Sequence, residues 1–420
     1  MTSSLSTRPV VNSAGSPAAV MMVFAMAGLV MAQTFARMPA IRDAVDASTG
    51  ELGLALIGGG LGSLLAMPFT GRLVDRFGTK RVVAVSIVLA CAGWSSLAFV
   101  PNPWLMGVAL VLTGAPVGIW DVAMNVQGSQ VERLRGRSLM PFFHAAFSAG
   151  TVVGAGSGAL AAYLGYGLMQ LPVIGAVAMV IGLVSVRHFM PDQSTDAEEA
   201  DQRAEAEVLD VPPTEGPDVG RQPPARRGVS SLEIMIGVVC LGGALAEGSA
   251  NDWLAILLVD VQGAPGAVGA LALTAFNLAM MTGRLLGSPA IDRFGRERVV
   301  QAGGLLAILG ILLASQVPSL PVALLGGLIW GLGVSTIFPA AISAAGEITG
   351  RGNRAITVVS TIAYGAFLFG APTIGILAEA FGLSRALFVV VAFLLVMLVL
   401  ARNLRPGALV RSAQLRESIQ

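Results

Sequence analysis

Twelve predominantly apolar stretches of about twenty residues dominate this 420-residue chain: 17–38, 51–71, 81–100, 104–127, 139–163, 168–188, 232–259, 267–289, 298–316, 321–346, 355–380 and 385–402. About twenty apolar residues is the length one helix needs to cross the hydrocarbon core of a bilayer. Inside lipid the backbone must satisfy its own polar groups, so runs of this length read as helices. Pro68, Pro116, Pro289 and Pro372 fall within the runs, and packed membrane helices tolerate them because neighbours re-satisfy the freed groups. Composition points the same way. Hydrophobic residues make up 55% of the chain, charged residues 12%, and mean hydropathy is +0.76, whereas a soluble domain carries about 25% charged residues. The 52 glycines suit close helix packing in lipid. The expected fold class is an all-α membrane protein of twelve transmembrane helices.

Basic residues set the expected orientation. Arg72, Arg76, Lys80 and Arg81 lie between spans 2 and 3, Arg133, Arg135 and Arg137 between spans 4 and 5, and Arg293, Arg296 and Arg298 after span 8. Arg351 and Arg354 follow span 10, and Arg402, Arg405, Arg411 and Arg416 lie on the tail. The opposite connections hold only Arg42 and Arg385, with Arg37 ending span 1. Cytoplasmic loops collect Lys and Arg, which places both termini, residues 1–16 and 403–420, in the cytoplasm, with a bacterial inner membrane as the expected location. Residues 189–231, acidic and Pro-rich and then basic at Arg226 and Arg227, read as a cytoplasmic linker too polar to fold alone. It divides a six-span unit, 17–188, from a second, 232–402. A net charge of +1 gives no reason to expect a nucleic-acid partner. Cys91 and Cys240 sit in apolar runs without metal-ligand spacing, and no cleavable signal peptide is apparent.

The two units share a register. Asp-Arg-Phe-Gly begins at Asp75 and again at Asp292, 217 positions later. At the same offset "GALAAYLG" (158–165) falls on "GILAEAFG" (375–382), Arg137 on Arg354 and Gly114 on Gly331. Parallel repeats of six spans are the reading. Twelve spans, a central linker and the duplicated loop resemble the major facilitator superfamily, whose signature between spans 2 and 3 is Gly-x-x-x-Asp-Arg-x-Gly-Arg-Arg/Lys. Gly71, Asp75, Arg76, Gly78 and Lys80 match it, with Thr79 in place of a basic residue. The second copy has Asp292, Arg293, Gly295 and Arg296, with Ser288 in place of the leading glycine. "ARMPAIRD", "DVAMNVQG", "MPFFHAAFSAG" and "AEGSANDW" further resemble the bacterial MosC/YbjJ-like branch. The resemblance implies two bundles around a central cavity. It also implies that Asp75 and its basic neighbours clasp the cytoplasmic helix ends in the outward-open state.

An ionisable group within a span is costly, and is therefore usually paired or functional. Asp121 and Asn125 share one face of span 4, and Glu247 and Asn251 share one face of span 7, with Asp252 and Trp253 adjoining. His144 begins a polar stripe in span 5, Arg37 ends span 1, Asn277 sits mid-span 8 and Tyr364 lies in span 11. These ten are the candidate cavity residues. Each also has a structural reading: helix packing for Asp121, a gate or loop contact for Asp252, headgroup contact for Arg37, an interfacial ring for Trp253. At the repeat offset Asp121 falls on Phe338, His144 on Thr361, Asp252 on Phe35 and Arg37 on Leu254. Scaffold roles should survive in both halves, whereas an asymmetric solute needs different groups from each.

The expected function is secondary active transport of a small polar solute by alternating access. Protons are the coupling ion, carried by Asp121 or Glu247, and no other cofactor or metal is expected. A proton-driven drug exporter is the alternative: Gly150, Gly154 and Gly158 match part of an exporter motif in span 5, with Ala155 and Ala159 replacing its Pro and last Gly. A non-transporting sensor is the alternative from another class. An enzyme is not expected, since His144 and His188 are the only histidines and no catalytic cluster forms around them. The partners are solute and lipid, with the monomer as the working unit.

Overall fold

The computed structural model describes residues 16–135, 139–190, 229–348 and 352–405. Arg137 and Arg351, the interior of the 189–231 linker and nearly all of both tails lie outside the described residues, as do the side chains of Arg133, Ser288 and Arg354.

Sixteen α-helices are described, and no strand occurs among the described residues. In the first half they are α1 (Pro17–Ala36), α2 (Met38–Ala44), α3 (Thr49–Ala66), α4 (Thr70–Phe77), α5 (Thr79–Ser96), α6 (Pro103–Arg135), α7 (Met140–Tyr163) and α8 (Gln170–Val186). In the second they are α9 (Ser231–Asp260), α10 (Gly266–Phe294), α11 (Arg296–Gln316), α12 (Leu320–Val334), α13 (Ile337–Gly346), α14 (Gly352–Phe381), α15 (Leu383–Ala386) and α16 (Phe388–Leu400). Ten helical segments among the described residues are long and apolar enough to cross a membrane. The expected spans 81–100 and 168–188 correspond to α5, which opens on Lys80 and Arg81, and to α8, which has 17 residues. Large apolar side chains such as Leu65, Leu112, Val153, Leu285 and Phe369 face outward, as a bilayer requires.

Local chemistry sets the helix ends. Ser48 with Glu51, and Ser230 with Glu233, form capping boxes at the starts of α3 and α9, each cap contributing about 1 kcal/mol. The Glu132 carboxylate accepts from Leu139 N at 2.5 Å and Met140 N at 2.7 Å, so the end of α6 caps α7. Three expected spans are interrupted. Span 2 carries a 3-10 turn at Met67–Phe69, span 10 breaks at Ser335–Thr336 and span 12 at Leu387, while span 1 ends at Arg37, before Pro39.

The repeat register holds in three dimensions. Gly78 (φ 81, ψ 148) and Gly295 (φ 82, ψ 150) adopt one conformation, and Gly165 and Gly382 both have positive φ. Gly114 packs on the Gly59 backbone as Gly331 packs on that of Phe276, and all four positions obey the same offset. Within the first half α1 packs on α7 and α3 on α6; within the second α9 packs on α14 and α10 on α12. The halves meet along two seams, α3 with α14 and α7 with α10, which the repeat interchanges. Gly53 faces the Ala371 carbonyl and the Gly375 backbone so closely that a methyl group would collide. Small residues thus bring the seam together.

Polar links join the halves at the end away from the Asp-Arg-Phe-Gly loops. Arg42 binds Asp260 through both guanidinium nitrogens, and Ser48 Oγ donates to Glu379 Oε2 at 3.2 Å. Asp260, ahead of burial and of the adjoining Asp43, holds the Arg42 guanidinium above its usual range, so the link stays charged. At the loop end this conformer lacks the Asp75 clasp, which was expected for the outward-open state. Asp75 is exposed and has no hydrogen bond or ion pair among the described residues. Instead Lys80 Nζ donates to the Arg187 carbonyl at 2.8 Å, and Arg296 grips Glu347 at 2.6 and 3.0 Å and Ser343 Oγ at 3.1 Å. Each contact stays within its own half.

Candidate functional site: a carboxylate-lined cavity between the halves

A cavity of about 390 Å³ lies between the halves, bounded by α1, α3, α5, α6 and α7 on one side and by α9 and α14 on the other. Of the ten candidate residues, Asp121, Glu247, Asn251, Asp252 and Tyr364 line it. Asp121 comes from α6, in the first half, and Asp252 from α9, in the second. Span depth read from the sequence therefore finds five wall residues.

The three carboxylates differ in partners. Glu247 is answered by Arg284, whose Nη2 donates to Oε1 at 3.1 Å and Oε2 at 3.2 Å, while Nη1 reaches Ser148 Oγ across the α7–α10 seam at 3.4 Å. A charge-assisted guanidinium–carboxylate contact is among the stronger polar contacts, although here one nitrogen serves both oxygens. Asp121 takes only a long contact, 3.4 Å, from Asn125 Nδ2, which bonds mainly to the Asp121 carbonyl at 2.8 Å. Among the described residues no hydrogen bond or ion pair reaches the Asp252 carboxylate.

The other five candidates do not line the cavity, each for a local reason. Arg37 is 7% exposed and donates to the carbonyls of Tyr166 at 2.8 Å and Gly167 at 3.3 Å. It ties the end of α1 to the loop before α8, and is neither a headgroup contact nor a cavity cation. Asn125 and Asn277 each turn back on their own helix, Asn277 Nδ2 donating to the Leu273 carbonyl at 2.9 Å. His144 packs edge-on against Phe24, with ring centroids 5.4 Å apart. Trp253 is fully buried in the core of its half, so it is not an interfacial ring and does not cover a solute.

Arg284 is the residue the sequence reading passed over. The signal was present: an arginine within the apolar run 267–289, at a depth where an unpaired charge is expensive. The aromatic wall formed by Phe35, Trp94, Trp120 and Phe147 was also missed, because an aromatic residue in an apolar helix carries no mark of which way it faces.

Two bundles related by a repeat and enclosing a largely apolar cavity that holds three carboxylates, within an apolar shell, are the architecture of a membrane transporter. A family model described as Major Facilitator Superfamily matches residues 18–271 and 244–418. The chain belongs to that superfamily. It is 32% identical to an uncharacterized MFS-type transporter of Yersinia pestis over 91% of this chain and 94% of the relative. To the membrane protein MosC of Rhizobium meliloti it is 28% identical, over 89% and 86%. Its fold matches a crystal structure of a D-xylose-proton symporter with TM-score 0.70 at 15% identity, covering 93% of this chain and 96% of the other. The nucleoside transporter NupG superposes with TM-score 0.67 at 13% identity, covering 92% and 98%.

Proposed function

We propose that this transporter carries a small solute through the bilayer by proton-coupled alternating access, rocking its halves about the cavity. One observation carries the reading: a single cavity takes one carboxylate, Asp121, from the first half and another, Asp252, from the second, and neither is duplicated by the repeat. Groups that differ between the halves while the scaffold repeats suit binding rather than architecture. Protonating a buried carboxylate removes its charge and its desolvation cost, which shifts the balance between two packings of the halves. Asp121 is the first choice for the coupling proton. Glu247 is the second, because its proton would also release Arg284 and, with it, the contact to Ser148.

The conformer described here is closed by Arg42–Asp260 and Ser48–Glu379. With the basic loops in the cytoplasm, it is the state sealed to the outside of a bacterial inner membrane, with the monomer as the working unit. A drug-exporter reading is favoured by the largely apolar wall, and by partial matches to proteins such as a multidrug resistance protein of Bacillus subtilis, 25% identical over 39% of this chain.

Proteoliposomes loaded with a pH dye test the proposal. A solute gradient should drive a proton flux that Asp121→Asn lowers at least about tenfold, a barrier change of about 1.4 kcal/mol. If Asp121→Asn and Glu247→Gln both carry solute with unchanged proton movement, the coupling assignment is wrong.

A further inference from the structure

We infer that the solute is an organic cation, its positive group held at Asp252 and its apolar body laid against the aromatic wall. The inference rests on the reading of this cavity as the solute site. Two observations lead to it independently.

The first is charge. Asp121, Glu247 and Asp252 line the cavity, and no lysine, arginine or histidine does so among the described residues. Arg284 answers Glu247 from the seam with both carboxylate oxygens engaged, which leaves two unmatched negative groups, one from each half. If one of them takes the coupling proton, a negative charge still remains. An anionic solute would meet repulsion in a poorly screened site. A neutral solute offers that carboxylate at most a hydrogen bond and leaves its charge uncompensated, which is costly within a membrane. A cation supplies the missing partner.

The second is the wall. Phe35, Trp94, Trp120, Phe147 and Tyr364 contribute aromatic surface to the same cavity. Aromatic faces attract cations through the ring quadrupole, most strongly where water is excluded. They also receive the hydrocarbon part of an amine. A sugar would ask for a dense set of hydrogen-bonding groups, and this wall offers few.

The class is therefore an amine on a compact apolar body, of a size suited to about 390 Å³.

The test uses charge series of nearly equal shape on the full-length protein in nanodiscs, read by titration calorimetry. One series is tyramine, tyrosol and 4-hydroxyphenylacetate; the other is cyclohexylmethylamine, cyclohexylmethanol and cyclohexanecarboxylate. In each the amine should bind at least about tenfold more tightly than the alcohol, with the acid weakest. Asp252→Asn should reduce that preference to about threefold or less while alcohol binding stays unchanged. Equal binding of alcohol and amine overturns the inference, as does binding of neither amine, or a preference that survives Asp252→Asn. The wild-type series decides the matter even if the variant fails to fold. Flux in proteoliposomes keeps the two readings apart: amine binding without flux sinks the transport proposal alone, and flux indifferent to charge sinks the cation alone.

Discussion

The two Asp-Arg-Phe-Gly loops share a backbone and differ in how they are fastened. Gly78 and Gly295 make the same turn, and the residue two positions on, Lys80 or Glu297, reaches the end of the last span in its half in both copies. Lys80 does so through the Arg187 carbonyl, and Glu297 by an ion pair with Arg405. The residue between them breaks the symmetry. Arg296 in the second copy grips Glu347 and Ser343, whereas Thr79, Gln130 and Val126 stand at the corresponding places in the first. Duplication kept the turn, which backbone geometry demands, and let the fastening diverge. Two halves held at the loop end by unequal means need not loosen together.

The sharpest way to test the shared part is to spoil the turn. Gly78→Ala and Gly295→Ala each force a side chain into a backbone region that essentially only glycine occupies, at about 1–3 kcal/mol. Thermal unfolding in detergent should show matched losses; a large inequality would mean that the copies are not equivalent. Next, Arg296→Ala removes a bidentate pair whose arginine side chain is 13% exposed, and should lower stability by about 1 kcal/mol. Arg296 holds Glu347 below the usual carboxylate range through its hydrogen bonds. A lowered folded-state pKa contributes stability above the unfolded value, near pH 4.3, that is lost as pH falls through the folded one. The gap between wild type and Arg296→Ala should therefore close in acid below about pH 4. Transplanting the fastening asks whether the first half can accept it. Thr79→Arg alone should destabilise, because Thr79 is fully buried, and adding Gln130→Glu should restore about 1 kcal/mol in a double-mutant cycle. The smallest change is Asp75→Asn, expected within about 0.5 kcal/mol, since the exposed carboxylate has no partner here. A larger loss would restore the clasp at Asp75 to this conformer.

These contrasts mark what a sequence can carry. Length and hydropathy place the long helices, because the bilayer imposes one length on every span, and the 217-residue register places the turns. The break at Ser335–Thr336 was not legible, since it interrupts a run that stays apolar on both sides. For the cavity, depth along a span is countable but facing is not. A helix apolar all round has no amphipathic stripe to show its inner side. Asp121 and Asp252 reached the cavity, while Asn277 and Trp253 were turned into their own bundle by neighbours far away in the chain. Arg284 was a different kind of omission, a visible charge that reads as significant only beside Glu247.

The far end of the molecule carries the Arg42–Asp260 link, with side chains 14% and 32% exposed. Ions in the surrounding medium reach such a link, and at physiological ionic strength they screen charges over about 8 Å. Closure on that side is therefore a property of the medium as well as of the chain. Dilute surroundings would tighten this link and saline ones would ease it, so its strength depends on the medium that the link faces.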